Sequence, residues 1–294
     1  MELSSHFVGF KAEPRYTELT ARSAMNFAAS IGDNNPYYFD DLRNGGTVVH
    51  PMQAVSLSWA VASDLGTHWK IPDYPGEVML QQVHYTEYLE WHNLITPGDT
   101  VTVQGELAAI MPNLAGTLLV VKFTATNQDG LPLYTEWEGA LLREIKCTDG
   151  GQGKASLPIP PKFPAAKAPI WEKTLHVDPL AAHIYDGCAD IHFKIHTSRK
   201  FAQEVGLDDP ILHGTATMAY AVREIVNAET DGNPARLKRL SCRFSGMVPL
   251  GSDITVRLLA TQPGDTTTDY FFEVRNNSDK RVIRGGHLTV DHTL

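Results

Sequence analysis

The feature that most constrains the fold is a segment rich in proline and glycine near the middle of the chain. It runs from residue 148 to residue 169 and contains five prolines among glycine, lysine and alanine. Such a composition cannot form a regular helix or a sheet ladder, because proline lacks the N–H group and fixes φ. We therefore predict a semi-extended linker between two domains, residues 1–147 and 170–294, each of normal domain size.

The two halves resemble each other in the order of their elements. Each begins with a helical stretch, passes through a loop that ends in His50 or His213, and enters a long apolar helix followed by strand-like segments. This pattern predicts an α+β fold with two tandem antiparallel sheets, each wrapped around a central helix. A sheet continuous across both halves would protect one edge of each. The predicted helices are 21–32, 52–65, 180–187 and 215–227, and the predicted strands are 83–94, 100–110, 117–126, 133–144, 240–248, 254–261, 268–276 and 281–290.

Composition and charge exclude several classes of protein. The formal net charge of −9 and the absence of a dense basic cluster argue against a nucleic-acid partner. No stretch approaches the roughly 20 apolar residues of a membrane helix, and the N-terminal residues lack the pattern of a signal peptide. Three scattered cysteines are typical of structural thiols in a reducing compartment. We expect a cytoplasmic protein without a membrane partner.

The loop before the second apolar helix is the strongest local signal. His213, Gly214 and Thr215 lead directly into this helix, so the Gly214 amide is predicted at the helix N-terminus. Free N–H groups and the positive end of the helix dipole could hold an oxygen that gains negative charge during a reaction. The alternative is that Gly214 only permits a tight turn. The loop by itself supports both interpretations equally.

A second signal is the polar segment 190–197, which lies between two helical stretches. It contains Asp190, His192 and His196, and a histidine beside a carboxylate is suited to proton transfer near neutral pH. A histidine that only bonds backbone carbonyls is the structural alternative. A metal site ranks third, because an extended segment places Asp190 too far from His196 for easy convergence on one ion. No metal site is predicted.

The corresponding place in the first half contains Asp33, Asn35 and Tyr38 within the sequence Asp-Asn-Asn-Pro-Tyr-Tyr. Asp-Asn-Asn-Pro is by itself a strong turn former, since Asp and Asn side chains bond their own backbone. The segment can therefore be explained as a turn or as a degenerate copy of the polar segment in the second half.

Together these segments resemble the MaoC-like (R)-specific enoyl-CoA hydratases, a family with the hot-dog fold. The family motif is Asp-x-Asn-Pro-Ile/Leu-His, followed at a fixed distance by Pro-Ile-x-His-Gly. The first half is similar to the partner module of this family, with Tyr38 at the place of the motif histidine. The matching residues in the second half are Ile195-His196-Thr197, Phe201-Ala202, Gly206-Leu207, Pro210-Ile211-Leu212-His213-Gly214 and Met218-Ala219.

The resemblance implies a double hot-dog enzyme that hydrates trans-2-enoyl thioesters, most simply acyl-CoA, or catalyses the reverse dehydration. His196 is implied as the catalytic histidine and Gly214 as the amide that polarises the thioester carbonyl. His213, Thr215, Asp33, Asn35 and Tyr38 are implied in substrate binding, with the first half shaping the acyl pocket. The chemistry needs no metal and no redox cofactor, so none is expected.

One departure from the family motif matters for the mechanism. Aligned without a gap, the catalytic aspartate falls on Ile191, and Phe193 and Lys194 replace the asparagine and proline. Asp190 lies one residue early, and we predict that a bulge brings it to the site as the missing carboxylate. The alternatives are a different carboxylate or a site repurposed for other chemistry.

Two other functions remain open from the sequence. A hot-dog thioesterase would carry a carboxylate on the central helix, where Glu224 is the only acid well inside. A non-catalytic acyl-thioester binding protein would explain Ile191 and Phe193. For a CoA substrate, Arg199 and Arg243 are candidate phosphate ligands, although exposed basic residues often only face solvent. The family also implies a homo-oligomer, which we expect to be a homodimer.

Overall fold

The architecture comes from a computed structural model, which describes residues 1–63, 65, 69–165 and 168–293. Residue 64 of the predicted helix 52–65 and residues 166–167 of the predicted linker lie outside the described residues. The helices are α1 (Ala21–Ser30), α2 (Pro36–Phe39), α3 (Gln53–Ala62), α4 (Ala181–Ala189), α5 (Arg199–Glu204) and α6 (Gly214–Glu229), and short 3₁₀ turns cover Ser5–Phe7, Gly76–Gln81, Lys154–Ser156 and Pro234–Arg236.

The strands divide between the two halves of the chain. Those of the first half are β1 (Glu2–Leu3), β2 (Arg15–Glu18), β3 (Gln82–Trp91), β4 (Thr100–Asn113), β5 (Gly116–Thr126), β6 (Pro132–Arg143) and β7 (Lys146–Cys147). Those of the second half are β8 (Trp171–His176), β9 (Leu237–Phe244), β10 (Asp253–Pro263), β11 (Thr267–Asn276) and β12 (Arg281–Asp291). The short edge strands β2 and β8 were not predicted, because they lack a long alternating pattern.

One antiparallel sheet of ten strands joins both halves in the described part of the chain. Its order is β2-β4-β5-β6-β3-β9-β12-β11-β10-β8. Read outward from the centre, the two halves contribute their strands in the same order, as expected for a duplicated domain. At the centre β3 pairs with β9, and Glu87 lies opposite Cys242. The two predicted sheets are therefore continuous, and each half protects one edge of the other.

The central helices are apolar because the sheet encloses them. Most residues of α3 are buried, and α6 buries Ala216, Met218, Ala219 and Val222 beneath the second half of the sheet. Helices that are apolar on nearly every side pack in this way inside a protein. The predicted helix 215–227 extends in the structure by one residue at its start and two at its end, whereas the first ends at Ala62 rather than 65.

The linker is attached to the first half for part of its length. Gln152 forms a bridge with Ile110, and a single 3₁₀ turn follows at Lys154–Ser156. Gly153 has φ +87°, and a Cβ atom there would lie 2.0 Å from the carbonyl oxygen of Ala108. Glycine is therefore required at the point where the linker crosses β4.

Candidate active site

The N-terminus of α6 forms one wall of the candidate site. Gly214 is the first residue of α6, and the buried His213 precedes it. The first N–H groups of a helix have no acceptor within the helix, and they lie at its positive end. A Cβ atom on Gly214 would lie 3.1 Å from the ring of Phe244. The absence of a side chain allows the ring of Phe244 to pack closely against the start of α6.

His196 lies beside this helix end with a defined tautomer. Its Nδ1 atom is 2.8 Å from the carbonyl oxygen of Ile211. Because a carbonyl only accepts hydrogen bonds, Nδ1 carries the proton and Nε2 keeps a lone pair. The imidazole stacks on His213 with the ring centroids 3.8 Å apart. His196 and the Gly214 region, which the sequence predicted to act together, are thus adjacent through His213.

Both histidines are neutral at neutral pH. Burial lowers the pKa of His196 to about 4, while its hydrogen bond to Ile211 and the charge of Asp186 oppose this shift. Burial, followed by the nearby His196, lowers the pKa of His213 to about 3. His213 donates from Nε2 to the carbonyl oxygen of Ile191 at 3.2 Å. His196 therefore presents an unprotonated Nε2 atom, as a general base requires.

Asp190 is not brought to His196, contrary to the predicted bulge. It terminates α4 with φ 56° and ψ 35°, a left-handed conformation. Its side chain is 85% exposed and lies 2.6 Å from Nε2 of His192. The turn instead directs the next residue, Ile191, into the protein, where it is buried. The predicted bulge is wrong because Asp190 ends α4 in a left-handed conformation, which Asp adopts more easily than most residues.

Asp186, one turn earlier in α4, is the carboxylate that faces the histidines. Its Oδ1 atom is 4.0 Å from Nε2 of His213, and its side chain is 18% exposed. Its Oδ2 atom is 2.8 Å from Nδ1 of His192. Asp186 was not predicted from the sequence. A signal existed, since an aspartate four residues before Asp190 lies on the same face of a helix.

The predicted first-half residues form a separate buried cluster. Oδ2 of Asp33 lies 3.5 Å from Nε2 of His50, and neither side chain is exposed. Tyr38 packs its ring 4.9 Å from that of His50. Asn35 crosses to the second half and donates to the carbonyl oxygen of Gly232 at 2.6 Å. Asn35 and Asp33, which Asn227 also contacts, link the halves; in the described contacts none of these residues touches His196.

His50 and His213 occupy matching positions, each just before a central helix. An aromatic ring packs against each of them: Tyr38 lies tilted against His50 in the first half, and His196 stacks on His213 in the second. Phe27 and Tyr185 lie between the two clusters, with ring centroids 5.9 Å apart. The repeat in the sequence already contained the signal for His50, although its role beside Asp33 was not predicted.

The remaining predicted ligands lie at different depths. Thr215 is buried in the first turn of α6. Arg199 is exposed and lies 2.9 Å from Asp209. Arg243 is exposed on β9 and stacks over the ring of Tyr85. It projects from the face of the sheet opposite to its neighbour Phe244, because successive side chains in a strand alternate.

Glu224, the acid considered for a thioesterase, is held by cations. It lies 2.5 Å from Lys173 and 2.7 Å from Nε of Arg223. It follows Gly214 by ten residues, which corresponds to about 15 Å along a helix. Glu224 therefore neutralises neighbouring charges far from the helix N-terminus.

No group of three histidine, cysteine, aspartate or glutamate side chains in the described part of the chain is arranged to hold a metal ion. None of the helices described has the length and hydropathy needed to traverse a bilayer.

Family models match both halves of the chain. Residues 164–281 match the model described as MaoC like domain, and residues 6–136 match the FAS1-like dehydratase domain region. The enoyl-CoA hydratase ChsH3 of Mycobacterium tuberculosis is 26% identical over 187 residues, which are 63% of this chain and 64% of that protein. A probable enoyl-CoA hydratase 2 of Dictyostelium discoideum is 24% identical, over 71% of this chain and 69% of its own length.

Solved structures agree on the fold. A MaoC-like dehydratase from Phytophthora capsici superposes with a TM-score of 0.80 at 20% identity, covering 96% of both chains. A Mycobacterium tuberculosis protein described as a double hot-dog fold superposes with a TM-score of 0.62 at 14% identity, covering 97% of this chain and 96% of its own. The predicted double hot dog is confirmed. With both halves matched by dehydratase models, the chain belongs to the MaoC-like dehydratase family.

Proposed function

We propose that this protein, a hydro-lyase by its family, adds water across the 2,3-double bond of a trans-2-enoyl-CoA, or removes it in reverse. In the forward direction the oxygen of water bonds to C3 and a proton is added at C2. The products are 3-hydroxyacyl-CoA thioesters, and atoms balance without an oxidant or reductant. Relatives named as enoyl-CoA hydratases support this substrate class.

The observation that carries the proposal is the fixed tautomer of His196. The Ile211 carbonyl holds the proton on Nδ1, so Nε2 can accept a proton from water. A pKa of about 4 keeps this nitrogen unprotonated at neutral pH. The base then returns a proton to C2 as the addition is completed.

The N-terminus of α6 supplies the electrophilic part of the mechanism. The Gly214 N–H would donate to the thioester oxygen, which gains negative charge as C3 is attacked. The helix dipole favours the same charge. The ring of Phe244 lies where a side chain of residue 214 would be. The contact with the thioester oxygen is therefore assigned to the backbone N–H of Gly214. Thr215 in the same turn lines this position, and His213 supports the ring of His196.

Asp186 acts in this scheme as a positioning residue. Ile191 occupies the place of the family aspartate and has no group that could move a proton. Asp186 faces His213 at 4.0 Å and its charge favours protonation of His196. We propose that it stabilises the imidazolium that forms when His196 takes a proton, while Asp190 remains at the surface.

Loss of the enoyl-thioester absorbance tests the proposal, with crotonyl-CoA and longer trans-2-enoyl-CoAs as substrates. We expect hydration by the wild type, loss of hydration in His196→Ala, and unchanged hydration in His176→Gln. His176 is an exposed histidine on β8 that pairs with Asp253, so it controls for the loss of a surface histidine. Release of free CoA would instead support a thioesterase, and binding without turnover would support a binding protein.

The other expectations remain part of the proposal. An acyl-CoA partner accords with the named hydratase relatives, and catalysis without a metal or redox cofactor follows from the chemistry above. A cytoplasmic location and assembly into a homodimer stay predictions; relatives named as peroxisomal enzymes occur in Arabidopsis thaliana and Drosophila melanogaster. Arg199 and Arg243 stay candidates for the CoA phosphates.

A further inference from the structure

His192 belongs to the polar segment 190–197, and the proposed mechanism gives it no role. Its side chain is 65% exposed, yet both of its ring nitrogens contact carboxylates. Nδ1 lies 2.8 Å from Oδ2 of Asp186, and Nε2 lies 2.6 Å from Oδ1 of Asp190. An exposed side chain loses rotational freedom when it is held at two points. The two contacts therefore fix the position of a histidine that solvent would otherwise leave free.

The two contacts require His192 to be positively charged. Ionised carboxylates only accept hydrogen bonds, so both ring nitrogens must donate, which a neutral imidazole cannot do. The hydrogen bond to Asp186 is the largest cause that raises the pKa of His192 above its ordinary value. Desolvation opposes this effect, and the hydrogen bond to Asp190 adds to it. His192 and Asp186 thus form an ion pair, and charge-assisted hydrogen bonds of this kind are stronger than neutral ones.

This ion pair fixes the orientation of the Asp186 carboxyl group. Oδ2 accepts from His192, whereas Oδ1 is 4.0 Å from Nε2 of His213. Without the bond to His192, a carboxyl group that is 18% exposed could rotate toward solvent, where an ionised group is better hydrated. The carboxylate therefore lies between an exposed histidine that is charged and a buried histidine that burial keeps neutral.

The charge of His192 and its hydrogen bond to Asp186 influence the buried histidines in opposite directions. Through space, the charge lowers the pKa of His213, and it would disfavour an imidazolium beside it. Through the hydrogen bond, His192 holds a carboxylate whose charge raises the pKa of His196. Because Asp186 contacts both His192 and His213, we expect the held carboxylate to have the larger effect.

We propose that His192 is a positioning residue, which holds Asp186 in the orientation that stabilises the protonated His196 during hydration. The inference rests on the proposed function, since it assumes that His196 takes a proton from water. In the described contacts His192 does not touch His196, and it moves no proton itself. Asp190 holds the imidazole of His192 from the solvent side.

Steady-state hydration of crotonyl-CoA by variants of His192 tests this role. His192→Ala should lower kcat/KM by about three- to tenfold, because Asp186 loses its hydrogen-bond donor. His192→Asn should stay within about twofold of the wild type, since its amide nitrogen is bonded to Cγ as Nδ1 is and can still donate. His176→Ala is the matched control and should retain wild-type kcat/KM. His176 is 62% exposed, and its Nδ1 atom lies 2.8 Å from Asp253.

Two further measurements show whether His192 acts through Asp186. In the Asp186→Asn background, His192→Ala should change kcat/KM by less than about twofold, because no carboxylate remains to be held. Proton NMR gives a readout that does not depend on activity. The ring of His192 should titrate above the ordinary pKa in the wild type and at lower pH in Asp186→Asn.

The outcomes separate this role from the proposed function. If the wild type hydrates crotonyl-CoA and His192→Ala keeps or exceeds its kcat/KM, the role of His192 is overturned and the hydratase stands. An equal loss in the Asp186→Asn background, or an unchanged NMR titration in Asp186→Asn, would overturn it as well. If the wild type, folded by circular dichroism, hydrates no enoyl-CoA, the proposed function fails and this role fails with it.

Discussion

Corresponding motif positions have different roles in the two halves of the chain. In the first half Asp33 and His50 are fully enclosed, and the ring of Tyr38 packs against His50 at a tilt. In the second half His196 takes the place of Tyr38 and remains partly accessible, while Ile191 takes the place of Asp33. The comparison teaches that one copy of a duplicated site can become internal packing while the other keeps a titratable group open to a substrate. The acid and the histidine of the motif have been divided between the copies.

The largest expected effect is the difference in activity between substitutions of His196 and of Tyr38, whose rings occupy matching positions in the two halves. His196→Gln should lower kcat/KM by about 10²- to 10⁴-fold, because the general base is lost. Tyr38→Phe changes the corresponding ring in the first half and should leave kcat/KM within about twofold. Steady-state hydration assays on both purified variants measure the difference. Comparable loss in both variants would contradict the division of roles.

The buried pair of the first half should matter mainly for stability. Burial lowers the pKa of His50, so Asp33→Ala leaves a neutral imidazole without its partner and the Asn35 N–H without its acceptor. The free energy of unfolding should therefore fall by about 1–3 kcal/mol. Asp190→Ala removes an exposed aspartate of the second half and should change it by less than about 0.5 kcal/mol. Urea unfolding followed by circular dichroism gives both values. A small effect of Asp33→Ala would mean that the pair is not a structural element.

The histidines of the second half should make stability depend on pH. Their folded pKa values of about 4 and about 3 lie below the ordinary value near 6.5. The unfolded chain therefore binds more protons between pH 6.5 and 4 than the folded chain does. Stability should fall by up to about 3 kcal/mol for His196 as the pH decreases through this range.

Urea midpoints between pH 7 and pH 4.5 measure this dependence. His196→Gln should flatten the curve, whereas His176→Gln, an exposed histidine on β8, should not. An unchanged slope in His196→Gln would show that its imidazole is not held neutral by burial.

The smallest expected effect is a difference in activity between substitutions of Asp186 and of Asp190, near the C-terminal end of α4. Asp186→Asn should lower kcat/KM about tenfold, since the imidazolium of His196 loses a stabilising charge. Asp190→Asn should change it less than about twofold. The pH profile provides a separate readout: the acidic limb should move to lower pH in Asp186→Asn only. A larger loss of kcat/KM in Asp190→Asn than in Asp186→Asn would instead support the predicted bulge, with Asp190 at the site.

Much of the fold could be predicted from local sequence signals. The proline-rich linker, the two apolar helices and eight strands each depend on composition or periodicity within a short window. The edge strands β2 and β8 were missed because a short exposed strand leaves little pattern. The continuous sheet was foreseen from edge protection, but the register that puts Glu87 opposite Cys242 depends on contacts distant in sequence.

The site was only partly accessible to sequence reasoning. His196 and Gly214 could be placed together because their motif has a fixed spacing. The direction of Asp190 could not, since it depends on the left-handed cap of α4. Asp186 was not singled out either, because only the structure shows that this carboxylate lies 4.0 Å from His213.

The pairing of β3 with β9 has a consequence for the covalent connection between the halves. With Asn35 bonded to Gly232 and Arg223 bonded to the Ile31 carbonyl, the halves meet as two subunits of a dimer would. The linker mainly keeps them at a high effective concentration. A chain of this design is a dimer that dilution cannot dissociate, so each half was free to lose one part of the motif that the other retained.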